Sequence, residues 1–203
     1  MWRSGLSRAA RYRAWAGVFS PDLIRELSAE IPPGQAAVDQ AFDDAADLDA
    51  VDAILAVDTR SYLPGDLLPK VDITSMAHSL EVRSPLLDRD LAEFVARLPS
   101  SLKLHRLTTK YLLKQAAAPL VPPAHLRRPK RGFAVPIAYW LRHDLREFAS
   151  DHLRHSAVAA AGILRQDAIT RLLDAHLSQT ADYAHHLWVL LMLELWYTTC
   201  RRS

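Results

Sequence analysis

The most distinctive chemical feature of the sequence is a long basic segment without acidic residues. Between Phe94 and His143 the chain has ten Lys or Arg and not one Asp or Glu, although the whole protein is nearly balanced, with 25 basic and 23 acidic residues. The segment includes a dense cationic run at residues 127–131, Arg-Arg-Pro-Lys-Arg, followed by Gly132. Such a concentration of positive charge favours an anion, and phosphate is an anion that Arg and Lys commonly bind.

The order of residues in this run indicates how it could act on a phosphate. Pro129 restricts the backbone just before Lys130, and Gly132 allows the chain to approach another group closely. A lysine held in this way can neutralise charge that develops on a transferring phosphate. Lys110 and Lys114 are four residues apart and are predicted to share one face of a helix. A solvated basic face without a ligand remains the alternative for each single cation.

A second group of charges lies in an apolar context at residues 70–88. Charged side chains in such a segment are rarely buried without partners, so we expect Arg83 to pair with a neighbouring carboxylate. The candidates are Asp72, Glu81 and Asp88. Both a structural ion-pair network and a carboxylate that polarises a substrate amine are compatible with this pattern.

Other common chemical signatures do not occur. The sequence has no glycine-rich loop that could cradle a nucleotide, no serine at a nucleophile elbow and no Cys–His arrangement. His152 and His155 could share a helix face, but no third ligand lies at a diagnostic spacing, so no metal site is predicted. Aromatic residues do not alternate with the basic ones as base stacking requires, and we expect no binding to nucleic acid.

The elements that must position the charged residues are predicted to be helices. Ser20 and Pro21 are typical of a helix start. Apolar residues recur at helical spacing over residues 46–62, and the Pro-Gly-Asp sequence at residues 64–66 is predicted to end that helix, with Asp66 capping the next.

Further helices are predicted along the rest of the chain. Pro85 favours an extended segment before it, and Asp88 is predicted to cap a helix through residue 97. Thr108 or Thr109 is predicted to open a short helix. The last four helices are expected at residues 136–142, from there to about residue 155, at 166–177 and at 184–199. The sequence predicts no confident strand.

Length and composition fit a soluble protein. A chain of 203 residues suits one large domain or a domain and a half. Cys200 is the single cysteine, which rules out an internal disulfide and fits a reducing compartment, so we expect a cytoplasmic protein. The most apolar run, residues 187–193, is far shorter than the roughly 20 residues that cross a bilayer, and no membrane association is expected.

Several motifs together resemble those of glutamine-hydrolysing asparagine synthetases. Residues 62–88, YLPGDLLPKVDITSMAHSLEVRSPLLD, resemble a family segment that reads close to YLPxDLLxKVDRxSMAxSLExRxPFLD. KYLLK at residues 110–114, RPKRGFAVP at 128–136 and WLR at 140–142 resemble further family segments. The resemblance extends over residues 12–199, although Ile73 and Leu86 stand where the family usually has Arg and Phe.

The resemblance implies a mainly α fold, namely the helical C-terminal portion of an adenine-nucleotide α-hydrolase-like (ATP pyrophosphatase) synthetase domain, with the nucleotide-binding sheet largely missing. It also implies an ATP-dependent ligase of asparagine biosynthesis. Enzymes of this family activate the aspartate side chain as an acyl-adenylate, and ammonia made from glutamine then displaces AMP. ATP and Mg²⁺ are the cofactors expected for the complete enzyme.

The resemblance also suggests site residues. Lys130 matches the family lysine that contacts phosphates and stabilises charge in both steps, so it is the predicted catalytic residue. Asp72, Arg83 and Asp88 match family positions that are either structural or near the site. The candidates for binding substrate or phosphate, some from the basic segment and some from these matched positions, are Arg128, Arg131, Lys110, Asp72 and Arg83.

Two family motifs, the SGGxDS pyrophosphate loop and the GEGxDE stretch, do not occur in this sequence. We therefore expect residues 1–203 to be a partial synthetase domain, without an N-terminal glutaminase domain and inactive alone. The expected partners are the missing nucleotide-binding and glutaminase part on another chain, or a second copy of this chain. Two alternatives are a family member that closes a lactam or macrocycle and a helical binding or scaffold module without catalysis.

Overall fold

The computed structural model describes residues 5–28, 34–129 and 135–200, and these are mainly helical. In chain order the helices are α1 (Arg8–Ala16), α2 (Pro21–Leu27), α3 (Gly34–Asp43), α4 (Ala50–Arg60), α5 (Leu68–Met76), α6 (Arg89–Ala96), α7 (Ser100–Lys103), α8 (Tyr111–Ala117), α9 (Pro123–Arg127), α10 (Ile137–Arg142), α11 (Arg146–Arg154), α12 (Ala157–Ala160), α13 (Gln166–Leu177) and α14 (Ala184–Cys200). A π-helical turn at Leu63–Leu67 leads into α5, and a 3-10 turn at Pro85–Leu87 precedes α6. The strands β1 (Leu104–His105) and β2 (Thr108–Thr109) form a small antiparallel hairpin. The predicted mainly α fold is confirmed.

The chain divides into two compact units, one made of residues 1–12 and 34–131 and the other of residues 13–33 and 132–203. The second unit has a large hydrophobic core to which five helices contribute. In α13 this core includes Ile169, Leu172 and Leu173, and in α14 it includes Leu187 and Leu191, all at most 1% exposed. Because these positions recur three or four residues apart, they lie on one face of each helix.

A buried carboxylate connects two helices of the second unit. The Ser156 hydroxyl accepts a hydrogen bond from the N–H of Ala159 and thereby caps α12. The carboxylate of Glu194, in α14, accepts hydrogen bonds from the N–H of Ala157 at 2.7 Å and of Val158 at 3.2 Å. These N–H groups have no partner within their own helix, so Glu194 satisfies donors that burial would otherwise leave unpaired.

The first unit has a smaller core where α1, α3 and α4 meet. Tyr12 packs edge-to-face on Phe42 with 5.5 Å between ring centroids, and Val57 is fully buried beside them. The Tyr12 hydroxyl donates a 2.5 Å hydrogen bond to the Asp58 carboxylate. Burial, reinforced by this carboxylate, raises the pKa of Tyr12 above its ordinary value.

The remainder of the first unit has no comparable core. The structure describes residues 58–129 throughout, and not one of them is buried. This range nevertheless contains large apolar side chains such as Ile73, Leu86 and Phe94, which are 67%, 63% and 59% exposed. The helices α5 to α9 therefore present apolar side chains to solvent.

Several predicted helix starts are confirmed. The Ser20 hydroxyl accepts from the N–H of Leu23, and Pro21 is the first residue of α2. The Asp88 carboxylate accepts from the N–H of Leu91 at 3.0 Å and caps α6, after an extended Ser84. These caps are local interactions, which explains why short sequence patterns identify them.

The helix α4 does end, at Arg60 with a non-helical Ser61, but residues 64–66 are not the break that was predicted. The N–H of Gly65 donates to the carbonyl of Ser61, and the N–H of Leu68 donates to the carbonyl of Leu63, so the chain continues through a π-helical turn into α5. Asp66 caps no helix, and its carboxylate lies 3.5 Å from the Lys70 ammonium group. A proline is tolerated at the start of a helical turn, and the wider π turn accommodates the change of geometry.

Candidate functional site

The centre of the predicted site, Lys130, and its neighbour Arg131 lie outside the described residues. The described part of the basic run ends at Pro129. Arg128 follows the last residue of α9, and its side chain is exposed. Its position at the surface leaves the guanidinium accessible to an anion, whereas the roles of Lys130 and Arg131 stay predictions.

Lys110 is held in an unusual backbone conformation immediately before α8. Its φ is 55° and its ψ is 38°, in the left-handed region, and its carbonyl accepts the N–H of Lys114 at 3.0 Å. Lys110 therefore precedes the helix, and the prediction that it shares a helix face with Lys114 is wrong. A left-handed conformation costs a residue with a Cβ roughly 1–2 kcal/mol. The exposed ammonium group remains accessible to an anion.

The hairpin β1–β2 determines where Lys110 lies. Residues 106 and 107 form its two-residue loop, with Arg106 at φ 53° and Leu107 97% exposed. The ring of His105 stacks on Tyr111, the first residue of α8, with 4.8 Å between centroids. Thr108 and Thr109 pair in the strand instead of opening a helix. Two-residue hairpin loops usually carry Asn or Gly, so this sequence offers no ordinary hairpin signal.

Lys103, which also belongs to the basic segment, is used inside the first unit. Its side chain is 13% exposed, and its ammonium group donates to the Asp52 carboxylate at 2.7 Å and to the carbonyl of Ala96 at 3.0 Å. Asp52 is in the first turn of α4, which Asp49 caps. A hydrogen bond from Ser100, together with backbone N–H groups and Lys103, holds the pKa of Asp49 below its ordinary value. Lys103, in α7, therefore connects this helix to α4 through Asp52 and to α6 through Ala96.

Arg83 pairs with one of its three candidate carboxylates. Its Nε lies 2.8 Å from the Glu81 carboxylate, and the two side chains are 85% and 69% exposed. Exposed pairs of this kind contribute little to stability, because water screens them. The expectation of an ion pair is confirmed, but the pair lies at the surface of the first unit.

Asp72 lies beside an open apolar groove of about 630 Å³. The groove is formed by Pro64 at the start of the π-helical turn, by α5 and by the segment that carries Val82, Ser84 and Leu87. The structure thus brings Asp72 close to the segment that contains Arg83. The described lining of the groove includes neither Lys110 nor Arg128, so the predicted site residues do not converge on this groove.

One polar arrangement in the second unit escaped prediction. His176 is fully buried, and its Nδ1 lies 3.3 Å both from the Arg142 guanidinium and from the backbone N–H of Tyr183. The Asp182 carboxylate lies 3.4 Å from the same Nδ1, whereas Nε2, which faces the backbone of Ala138, has no well-formed hydrogen bond within the described residues. Burial and then Arg142 lower the pKa of His176, with Asp182 acting in the opposite direction.

The position of His176 was readable from helical spacing. It follows Leu172 and Leu173 by four and three residues on the apolar face of α13. A histidine on such a face is more often a buried structural residue than a metal ligand. In the described ranges no three His, Cys, Asp or Glu side chains are grouped so that they could hold a metal ion. No described helix is long and apolar enough to cross a bilayer.

Comparisons with known proteins cover almost the whole chain. Residues 3–198 match the family model of asparagine synthase. A Mycobacterium tuberculosis protein carrying the name of a glutamine-hydrolysing asparagine synthetase is 36% identical over 199 residues, which are 96% of this chain and 30% of that protein. An asparagine synthetase of Bacillus subtilis is 31% identical over 191 residues, or 93% of this chain and 30% of that protein.

A further match is shorter. A Penicillium rubens protein named as an amidase is 33% identical over 89 residues, which are 40% of this chain and 13% of that protein. The chain thus spans about 30% of the length of the bacterial relatives that it matches. No solved structure matches it.

Proposed function

Because the chain belongs to the asparagine synthase family, we propose that it supplies the C-terminal helical part of an ATP-dependent ligase that forms amide bonds. The proposed substrate is aspartate, which is activated as an acyl-adenylate with release of pyrophosphate. Ammonia derived from glutamine then attacks the activated carbonyl and displaces AMP. We place this activity in the cytoplasm, as a step of asparagine biosynthesis.

The single observation that carries this proposal is the family match over residues 3–198, together with relatives that are 36% and 31% identical over nearly all of the chain. The charge pattern agrees with it, since a segment with ten cations and no carboxylate suits a ligand with a phosphate tail. Exposed Lys110 and Arg128 support phosphate binding, because neither has its side chain buried within the first unit.

Within this proposal Lys130 is the catalytic residue. Its ammonium group would neutralise negative charge that develops on the phosphates during adenylation and on AMP as it leaves. Arg128 and Arg131 flank it and would hold the same anion. Asp72 and Arg83 are assigned to the neighbourhood of the substrate. This assignment draws support from the groove beside Asp72, which is lined in part by the segment containing Arg83.

The described residues fit the two expected cofactors unequally. Exposed cations suit the triphosphate of ATP. For Mg²⁺ the described residues offer no group of three carboxylate, His or Cys side chains, so they do not form a metal site. We therefore assign metal binding to other parts of the complete enzyme and derive no step of this chain through Mg²⁺.

The proposed partner is a polypeptide that carries the nucleotide-binding and glutaminase parts of the synthetase. The chain spans about 30% of the length of its bacterial relatives. The proposal assigns the nucleotide-binding and glutaminase functions to the part that the chain does not span. A homo-oligomer of the completed enzyme is compatible with the same assignment.

A second candidate function is that of a family member that closes a lactam or macrocycle. The same adenylation chemistry could serve a carboxylate other than that of aspartate, with an amine of the same molecule closing a lactam or macrocycle. The two candidates are distinguished by measuring turnover in parallel with aspartate, with other carboxylates and with amino acids that carry a tethered amine. The third candidate, a helical scaffold without catalysis, predicts no turnover with any of them.

The test is ATP–pyrophosphate exchange with the 203-residue chain alone and with the complementary part of a bacterial relative. We expect negligible exchange by the chain alone and aspartate-dependent exchange by the combination. Robust exchange by the chain alone would contradict the assignment of nucleotide binding to a partner. A complex that forms but supports no exchange with any carboxylate would contradict the ligase assignment.

A further inference from the structure

Three polar groups of the second unit meet at one nitrogen atom of the buried His176 ring. Two of them are donors, since the Arg142 guanidinium and the backbone N–H of Tyr183 each lie 3.3 Å from Nδ1 of His176. The third is an acceptor, the Asp182 carboxylate, at 3.4 Å from the same Nδ1. A ring nitrogen accepts hydrogen bonds when it carries no proton and donates when it carries one. Nδ1 therefore serves either the two donors or the carboxylate, but not both at once.

The Arg142 side chain also connects two helices. Arg142 is the last residue of α10, and its Nε donates to the carbonyl of His176, in the last turn of α13, at 3.2 Å. Carbonyl groups at the end of a helix lack a partner within the helix, so a cation is favourable there. The guanidinium lies 3.8 Å from the Asp182 carboxylate, which is 66% exposed, and this exposed ion pair contributes little. The position of the guanidinium accordingly depends on the ring and the carbonyl of His176.

A protonated His176 ring would have an acceptor on each side. Nε2 faces the backbone of Ala138, in α10, which favours a proton on the ring, and Nδ1 faces the Asp182 carboxylate. Arg142 opposes this state, because two positive charges 3.3 Å apart repel each other in a buried site. Burial, and after it Arg142, lowers the pKa of His176, whereas Asp182 raises it. Arg142 and Asp182 thus compete for the same nitrogen atom.

Charged groups on the other elements that pack against α13 have partners of their own. They form the pairs Arg154–Asp174 at α11, Glu26–Arg171 at α2 and Glu194–Ser156 at α14. The histidine rings nearby stack on aromatic residues, His186 on Tyr183 and His143 on Tyr139. The charged side chains that act on the His176 ring are those of Arg142 and Asp182.

We propose that His176 is a proton-operated switch in the packing of α10 against α13. In the closed state Nδ1 carries no proton and accepts from Arg142 and from the N–H of Tyr183. A proton taken up from water at Nδ1 makes the ring a donor to Asp182, and the N–H of Tyr183 loses its acceptor. The like charge drives Arg142, which is 23% exposed and can reach water, away from the carbonyl of His176. The end of α10 then separates from α13, while the apolar core that includes Leu141 keeps the unit folded.

Nuclear magnetic resonance of the 203-residue chain tests the switch. The ring signals of His176 report its protonation, and the Nε–H of Arg142 and the amide of Tyr183 report the two hydrogen bonds. As the pH falls from about 7.5 to about 5, we expect all three to change with one common midpoint below about pH 6.5. Hydrogen exchange of the last α10 amides, corrected for the intrinsic effect of pH, should accelerate at least about tenfold while α13 and α14 stay protected.

Two variants change the competing groups separately. Asp182→Asn removes the carboxylate but keeps an oxygen that can accept from the N–H of Ala184, and it is expected to shift the common midpoint to lower pH. Arg142→Met should shift the ring midpoint to higher pH and leave α10 in fast exchange already at about pH 7.5. The matched control is Asp151→Asn, an exposed change in α11 of the same unit, which should leave the midpoint unchanged. Circular dichroism checks that each variant folds.

Four results would each overturn the switch. The first is a ring that titrates while the signals of Arg142 and Tyr183 stay constant, because both hydrogen bonds would then survive protonation. The second is an equal midpoint in Asp182→Asn and Asp151→Asn. The third is faster exchange in α13 and α14 together with α10, because the proton would then unfold the whole unit. The fourth is a His176 ring that stays neutral until the unit unfolds.

Discussion

Glu194, in α14, accepts a 2.6 Å hydrogen bond from the hydroxyl of Ser156, the residue that caps α12. The two residues are 38 positions apart in the chain, and they are 3% and 4% exposed. This pair connects the last helix of the second unit to the start of a four-residue helix that could not be stable by itself.

Glu194→Ala is expected to lower the free energy of unfolding of the second unit by about 2–4 kcal/mol, because it leaves the Ser156 hydroxyl and two N–H groups without acceptors in a buried site. Denaturant unfolding with hydrogen exchange of α12 and α14 measures the effect. The control is Glu147→Ala, an exposed change in α11 of the same unit. Equal stability of the two variants would refute a structural role for Glu194.

Lys103 and Asp52 should behave differently from the exposed pair Lys70–Asp66. Lys103→Ala is expected to destabilise the first unit by about 1–3 kcal/mol, since Asp52, 21% exposed, loses the partner that offsets its partial burial. Lys70→Ala, whose partner is in water, should change stability by less than about 1 kcal/mol. A double-mutant cycle with Asp52→Asn should show coupling between the two sites. Additive effects of the two substitutions would contradict a direct interaction.

Acid should destabilise the second unit through His176. The pKa of His176 is lowered in the folded chain, first by burial, so the unfolded chain takes up the proton more readily. The contribution of neutral His176 to the free energy of unfolding is complete above the pKa of about 6.5 in the unfolded chain. This contribution is lost as the pH falls from there towards the lower pKa of the folded chain. His186, whose pKa burial also lowers, adds to the slope in the same direction.

His176→Asn keeps an acceptor near the position of Nδ1 but does not titrate. We expect its free energy of unfolding to depend less on pH between about 5 and 7 than that of the unaltered chain. The control is Thr180→Asn, an exposed change in the same unit at a residue that does not titrate, and it should leave the slope as it is. An unchanged slope in His176→Asn would contradict the assignment.

Lys130→Ala in the assembled ligase tests the predicted catalytic residue. We expect kcat to fall by about 10²–10³, typical of the loss of one group that stabilises transition-state charge, while the melting temperature changes little. Arg127→Ala is the matched control, since it removes a nearby cation to which no catalytic role is assigned. Normal kinetics combined with a lower melting temperature would show that Lys130 is a structural residue.

Local sequence patterns predicted the helix starts at Ser20 and Asp88 because a capping side chain and its N–H partner are only three residues apart. The same reasoning failed at Pro64 and Gly65, where a π-helical turn continues the chain. It also missed the β1–β2 hairpin, whose loop residue Arg106 adopts a left-handed conformation that its type does not favour. In these places neighbouring elements outweighed local preference.

The sequence by itself determined the family, the helical class and the concentration of cations, because motifs, periodicity and charge depend only on the order of the residues. Only the tertiary structure decided which charges are available to a ligand. It committed Lys103 to Asp52, 51 positions away, and left Lys110 and Arg128 exposed. It also showed that the apolar side of α6 is uncovered. Pairing and burial depend on distances between residues remote in the chain, and those distances exist only once the helices have packed.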